Sequence, residues 1–426
     1  MNPSINIFLI IILTAMAGNW LLTLIIEKLN LRNASPLLPD EFAVMYDAEK
    51  YRVSQEYLRA NTRFRLWDET LFTAAAVTFI LAGGFNAVDH FARAFGYGDI
   101  INGLIFAGVL SLFAFLFHLP FSVYRTFVIE EKFGFNRTTV KTFVMDMIKG
   151  LLLGAVLGGV IFAGLVWFFI AFGSVAWWYS WIAITAFQLA MTFIAPVVIL
   201  PLFNKFVPLE DGELKTAVET YARNAQFKMM GLFKMDGSRR STKSNAFFTG
   251  FGRFRRIALF DTLIARHSVD ELVSVLAHEM GHYKKYHVQK SIVLSILNTG
   301  LMLCILSLFI HSPGLFAAFR MDYMSVYAAV VFFGFLYSPL SFLISIGGNI
   351  ISRRHEYEAD AYAVKTYVKP EAMISALKKL SVDNLSNLTP HPAKVFLEYS
   401  HPPVLERIRA IKAINDKQRI KANGVH

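Results

Sequence analysis

Apolar stretches of about 20 residues, the length that crosses the hydrocarbon core of a bilayer, recur seven times along the chain. They cover residues 5–26, 70–88, 101–122, 151–173, 177–200, 291–312 and 325–350. The first begins close to Met1 with no basic stretch before it. It runs into "IIEKLNLRN" without a small-residue cleavage site, so it reads as a permanent span rather than a cleaved signal peptide. Polar sequence gathers in two long segments, 201–290 and the part beyond 350. The pattern divides the chain into a membrane part (1–200), a polar part (201–290), a second membrane part (291–350) and a polar C-terminal part (351–426).

Each polar segment has its own periodicity. "ELKTAVETYARNAQF" predicts a helix after the prolines that end the fifth span. "STKSNAFFTG" (241–250) and "RRIALFDTLI" (255–264) are rich in β-formers, with Gly250 and Gly252 between them, and predict a small hairpin. "HSVDELVSVLAHEMGHYKK" predicts a helix opened by a capping box, Ser268 with Glu271 three residues on. The C-terminal part reads as helices broken at "SNLTPHP" and "SHPPV". Pro196 and the many glycines over 151–200 predict kinks and close helix packing there. The fold class is an all-α multi-pass membrane protein with a small β-hairpin in its polar part.

Composition agrees with this pattern. Apolar residues make up 55% and charged ones 17%, with 40 phenylalanines, more than a water-facing surface can hide. A single cysteine, Cys304, excludes an intramolecular disulfide and a cysteine-built metal site. The net charge of +11 raises the question of nucleic acid. Counted by loop, however, Lys and Arg number seven, one, five, none, fifteen, one and thirteen after successive spans. Rich and poor loops alternate, as the positive-inside rule requires of seven spans, with the N-terminus outside and the C-terminus cytosolic. The basic balance follows from topology and anionic lipid, and no aromatic-interleaved basic motif argues for nucleic acid.

The chemistry concentrates in "LAHEMGHYKKYH". His278 and His282 stand four apart, so on a helix both imidazoles can reach one metal, and Glu279 lies beside them. Zinc suits this pair and needs a third protein ligand, leaving a fourth position for water. Glu279 is then placed to take a proton from that water. The third ligand is expected from "SRRHEYEADAYAVKTY" (352–367), where His355, Glu356 and Glu358 are candidates. Glu356 and Asp360 share a helical face, so one can ligate while the other holds a ligand histidine; Glu358 points away from both.

Seven spans, "HEMGH", "SRRHEYEADAYA" and "SHPPVLERIRAI" together resemble the CAAX prenyl protease 1 family of integral-membrane zinc metallopeptidases, over most of the chain. The resemblance implies one Zn²⁺ per chain held by His278, His282 and Glu356, with Glu279 as catalytic base. It implies that Asp360 orients a histidine ligand, and that His401 and Arg407 lie near the scissile carbonyl. It also implies seven helices around an intramembrane chamber, and a peptide bound as an added strand along "KSNAFF" at Asn245 and Ala246. The implied activity is removal of the C-terminal tripeptide from prenylated proteins. The other readings are a membrane quality-control protease without a prenyl requirement and a non-catalytic chamber for lipid-modified peptides. The expected partners are a lipidated or membrane-anchored peptide and the bilayer. Only 73 residues separate His282 from Glu356, and the C-terminal "KANGVH" is not a dilysine signal, so a bacterial inner membrane is favoured over the endoplasmic reticulum.

Three further features are weaker. His118, within the third span near Pro120, is expected to satisfy a carbonyl freed by the proline. His287 reads as the cationic end of the motif helix. The loop "EEKFGFNRTT" (130–139) shows no chemistry in its spacing.

Overall fold

The computed structural model describes residues 6–227, 231–249 and 256–422. The first crossing is α1 (Ile7–Asn33). The second is split: α2 (Ala48–Leu81) and α3 (Gly84–Arg93) pass as one span only if counted together, because they bend by 64°. Gly83 sits at the break with φ +75, a left-handed backbone that costs glycine little. The uninterrupted 70–88 span is corrected accordingly.

Then follow α4 (Asp99–Tyr124), extended by a π-helical segment to Glu130, α5 (Val140–Phe172) and α6 (Ala176–Ile194). A second π-helical segment, Ala195–Ile199, contains Pro196 and leads into α7 (Leu200–Phe203). The missing proline N–H breaks the regular ladder there, which is the kink expected from sequence.

The polar part opens with β1 (Phe206–Pro208), α8 (Glu213–Asn224) and β2 (Gly231–Met235). The predicted hairpin is present as β3 (Ala246–Thr249) antiparallel to β4 (Arg256–Phe260), in the register Ala246↔Leu259 to Thr249↔Arg256. Gly250 and Gly252 lie outside the described residues. The hairpin is not alone. β4 runs parallel to β2, and β2 antiparallel to β1, giving a four-stranded sheet in the order β1-β2-β4-β3. "FVP" is too short to show a period of two and "GLFKM" does not alternate cleanly, which is why they are not legible as strands. After α9 (Asp261–Ile264) come α10 (Val269–Lys284), α11 (His287–Phe309), α12 (Pro313–Ala318) and the 41-residue α13 (Val326–Thr366). The chain ends in α14 (Pro370–Asp383), α15 (Pro392–Glu398) and α16 (Val404–Ala422).

The helices are cored at their ends and not between. At one end Ile12, Phe85, Phe106, Phe169, Leu303 and Phe332 bury one another. Beyond that core α4 buries nothing after Phe106, α5 nothing between Thr142 and Val166, and α13 nothing between Tyr337 and His355. The close packing expected over 151–200 is present only in part: Val166 and Phe169 join this core and a Cβ on Gly159 would meet Leu104 at 3.8 Å, but one on Gly154, Gly158 or Gly164 meets no atom within 4 Å. Helices joined at both ends and separated at mid-length enclose the kind of space that a chamber needs.

At the opposite end two cores close the structure. One joins α8, the sheet and α10 through Val218, Leu232, Leu259 and Leu276. The other joins α14 and α16 to the segment after α1 through Phe42, Tyr51, Ile374 and Ile408. Charged contacts fix this end to the membrane helices. Arg240 makes a paired hydrogen bond to Asp146 of α5 at 2.7 and 2.9 Å. Lys394 of α15 pairs with the buried Glu27 of α1 at 2.5 Å. The loop 130–139 has a structural part after all: Asn136 bridges to Ser241, and Glu130 accepts from Lys243 at 2.8 Å, tying the approach to β3 onto the bundle.

Candidate metal centre

Ser268 opens α10 with both hydrogen bonds of the capping box, as its sequence predicts. Burial of Leu272, Val273, Leu276, Ala277 and Met280 then fixes the rotation of the helix and turns His278 and His282 toward α13. The two helices cross at Gly281 and Ala359. A Cβ on Gly281 would lie 2.9 Å from Ala359 Cα and 3.0 Å from its carbonyl oxygen, closer than non-bonded atoms approach. That contact sets the spacing of the site, and only glycine permits it. Sequence reasoning missed it, although the glycine stands inside the motif.

Ala359 lies between Glu356 and Asp360 on one face of α13, and both carboxylates reach α10. His278 Nε2 and His282 Nε2 are 3.1 Å apart. Glu356 places Oε2 3.5 Å from the first and Oε1 3.2 Å from the second. These three side chains form a group whose donor atoms lie within 4.8 Å of one another. Asp360 Oδ1 accepts from His278 Nδ1 at 2.8 Å, which leaves Nε2 free to donate its lone pair. Arg407 of α16 donates to both Asp360 oxygens at 2.8 and 2.6 Å, and its Nη1 stands 3.3 Å from Glu356 Oε2. His401 Nε2 is 3.5 Å from Glu356 Oε1, with its side chain 65% exposed and facing the opening.

Glu279 stands half-buried beside the trio. Burial of its carboxyl is the largest influence and raises its pKa, outweighing the neighbouring histidines. A carboxylate held above its usual range is a better proton acceptor near neutral pH. Burial opposes protonation of His278, but the hydrogen bonds to Asp360 and Glu356 outweigh it and raise this imidazole to about 9. Glu356 Oε2 is buried and is met only at long range, by Arg407 Nη1 at 3.3 Å and His278 Nε2 at 3.5 Å, which leaves lone-pair capacity for a cation.

These groups share one cavity of about 440 Å³ with Asn245 and Ala246 at the start of β3. β3 is the outer strand of the sheet. The Asn245 carbonyl accepts from Phe260 N, whereas Ala246 N is bonded to the Asn245 side chain at 2.8 Å. Alternation along a strand therefore turns Ala246 N–H to the free edge. Apolar side chains of α14, Met373, Leu377 and Leu380, form the opposite wall.

Other sequence expectations need correction. His287 is not the cationic end of α10. It begins α11, is buried, and contacts His282 and Glu358. His118 does not serve a freed carbonyl; its Nδ1 lies 3.2 Å from Asp68 Oδ1 of α2. Glu358 does point away from the trio, as expected, and reaches His287 instead.

Two family models match this chain. Residues 27–205 match one described as CAAX prenyl protease N-terminal, five membrane helices, and residues 208–415 match peptidase family M48. The chain is thus a multi-pass membrane metallopeptidase. CAAX prenyl protease 1 of Saccharomyces cerevisiae is 35% identical over 92% of this chain and 91% of its own length. The human CAAX prenyl protease 1 homolog is 31% identical over 88% and 89%. A crystal structure of S. mikatae Ste24p superposes with a TM-score of 0.90 at 33% identity, covering 95% of this chain and 99% of that one. The chain belongs to the CAAX prenyl protease 1 family.

Proposed function

We propose that this protein is a zinc endopeptidase for lipid-modified or membrane-anchored peptides, of the kind that trims the C-terminus of prenylated proteins. The observation that carries this reading is the single cavity shared by the histidine pair, Glu279, Glu356 and the open edge of β3. Zinc bonds of about 2.0–2.2 Å in a tetrahedron put ligand atoms roughly 3.3 Å apart, which the 3.1–3.5 Å separations here accommodate. His278, His282 and Glu356 would hold one zinc per chain. When bound, the metal supplies Lewis-acid polarisation of the scissile carbonyl and acidifies water.

The chain's own residues do the rest. Asp360, itself held by Arg407, fixes the tautomer of His278. Glu279 accepts the proton of the attacking water and passes it to the leaving amine. His401, exposed at the mouth, donates to the carbonyl oxygen as charge develops there. An extended peptide adds to β3 at Asn245 and Ala246, where it takes the place of the Asn245 side chain on the edge-facing Ala246 N–H.

The placement of the site explains the substrate class. α10 turns directly into α11, and Glu356 stands thirty residues into the 41-residue α13, further along it than the about 20 residues that cross a bilayer. A substrate can lodge its apolar part among the helices while its peptide reaches the cavity. Each buried methylene contributes about 0.8 kcal/mol, so a farnesyl-sized chain dominates binding. We expect a farnesylated peptide to be cleaved with a much lower KM than the same peptide without lipid, both in bilayer. Equal kinetics would end this reading.

By the alternation of basic loops, the N-terminus is outside and the site is cytosolic; the short link between the last two spans favours a bacterial inner membrane. A cysteine near Arg320 should be labelled from outside intact cells and one near Arg239 should not. Labelling of both from one side would refute the orientation.

A further inference from the structure

The two imidazoles of the proposed metal site are supported differently. His278 donates directly to a carboxylate, that of Asp360. His282 has no carboxylate on its outer nitrogen. Its Nδ1 instead lies 3.1 Å from Nδ1 of His287, and His287 Nε2 lies 3.1 Å from Glu358 Oε2. Resting on the reading that His282 ligates through Nε2, we infer that His287 and Glu358 are positioning residues forming a carboxylate–imidazole–imidazole relay behind that ligand.

The proton positions follow from the chemistry. With a metal on Nε2, neutral His282 carries its proton on Nδ1 and must donate it. His287 Nδ1 accepts, so the remaining proton of neutral His287 sits on Nε2 and is donated to Glu358. One carboxylate thereby selects the tautomer of two rings in series. Reversing any member would set two N–H groups or two lone pairs face to face.

Three features hold the relay in place. Tyr286 adopts a left-handed backbone, φ +59, which is costly for a residue with a side chain. This corner between α10 and α11 brings His287 back against His282 after only five residues. His355 stacks on His287 at 3.9 Å and 9°, fixing the plane of the ring. Arg354 donates to the other oxygen of Glu358 at 3.0 Å, keeping that carboxylate turned inward. His287 is nearly fully buried, its side chain 3% exposed, so water does not substitute for either partner.

The test uses full-length protein loaded with Co²⁺ and a competing chelator. Partners of this kind change metal affinity by about 10–100-fold. His287→Phe keeps the stack on His355 but removes both nitrogens, and should release metal 10–100-fold faster, with a shifted Co²⁺ d–d spectrum. Glu358→Ala should be intermediate. Glu358→Gln, whose amide oxygen still accepts from His287 Nε2–H, should recover part of the loss. A merely structural role would lower melting temperature without ordering Ala and Gln in this way. Release rates and spectra of Glu358→Ala and Glu358→Gln within twofold of wild type would overturn the relay. Retention of stoichiometric metal by His282→Ala would instead overturn the ligand assignment beneath it.

Discussion

Glycine has opposite meanings in two regions of this molecule. At the crossing of α10 and α13, Gly281 lets two backbones meet until a Cβ would stand 2.9 Å from Ala359 Cα. In the middle of α5, Gly154 and Gly158 face nothing within 4 Å. The first glycine sets the distance between ligand residues on two helices. The others border the uncored interval of the bundle, where no partner helix is near enough to use the absent side chain. A metal site needs donors held to within a fraction of an ångström, whereas a chamber needs walls that do not collapse. Tight packing serves the first and would abolish the second.

The largest effect expected at the tight end is chemical. Glu279→Gln keeps the volume of the side chain and leaves the three donor residues intact, but removes the proton acceptor. Cleavage should fall by about 10²–10⁴-fold with metal content unchanged. Wild-type turnover by the purified variant would remove Glu279 from its role.

The geometric counterpart is Gly281→Ala. The nearest atoms to the new methyl belong to backbone and cannot swing aside, so the helices must separate. Overpacking of this kind costs about 1–3 kcal/mol. We expect a lower melting temperature, weakened metal retention and a clear loss of activity. A variant that melts and binds metal like wild type would show that the crossing does not set the site.

The smallest effect belongs to the open region. Gly154→Ala and Gly158→Ala should be neutral or stabilise by up to about 1 kcal/mol, because alanine is the better helix former and meets no neighbour. Gly158→Leu sharpens the contrast, since an open wall should accept it with activity retained. Strong destabilisation by alanine at either position would show that these faces are packed, and the difference between the two regions would disappear.

What the sequence alone determined is what depends on near neighbours along the chain. Spans follow from runs of apolar residues, and the capping box at Ser268 and Glu271 from a spacing of three. The pairing of His278 with His282 follows from a spacing of four. The hairpin of β3 and β4 was legible from the β-formers on either side of Gly250 and Gly252. Across distance the sequence was silent or misleading. Gly154, Gly158 and Gly164 promised packing that is absent, because a glycine shows that approach is permitted and not that a partner comes. "GLFKM" carries nothing in its own residues to show that β2 would lie parallel to β4, 25 residues further on. Spacing alone left His355, Glu356 and Glu358 open within "HEYEAD", the family resemblance pointed to Glu356, and the tertiary structure is what brings that residue to the histidines. Glu356 faces His278 and His282, and Glu358, two residues on and about 200° around the helix, meets His287 instead. That choice rests on the rotation of α13 about its axis, which is set by the contact of Ala359 with Gly281, 78 residues away in sequence.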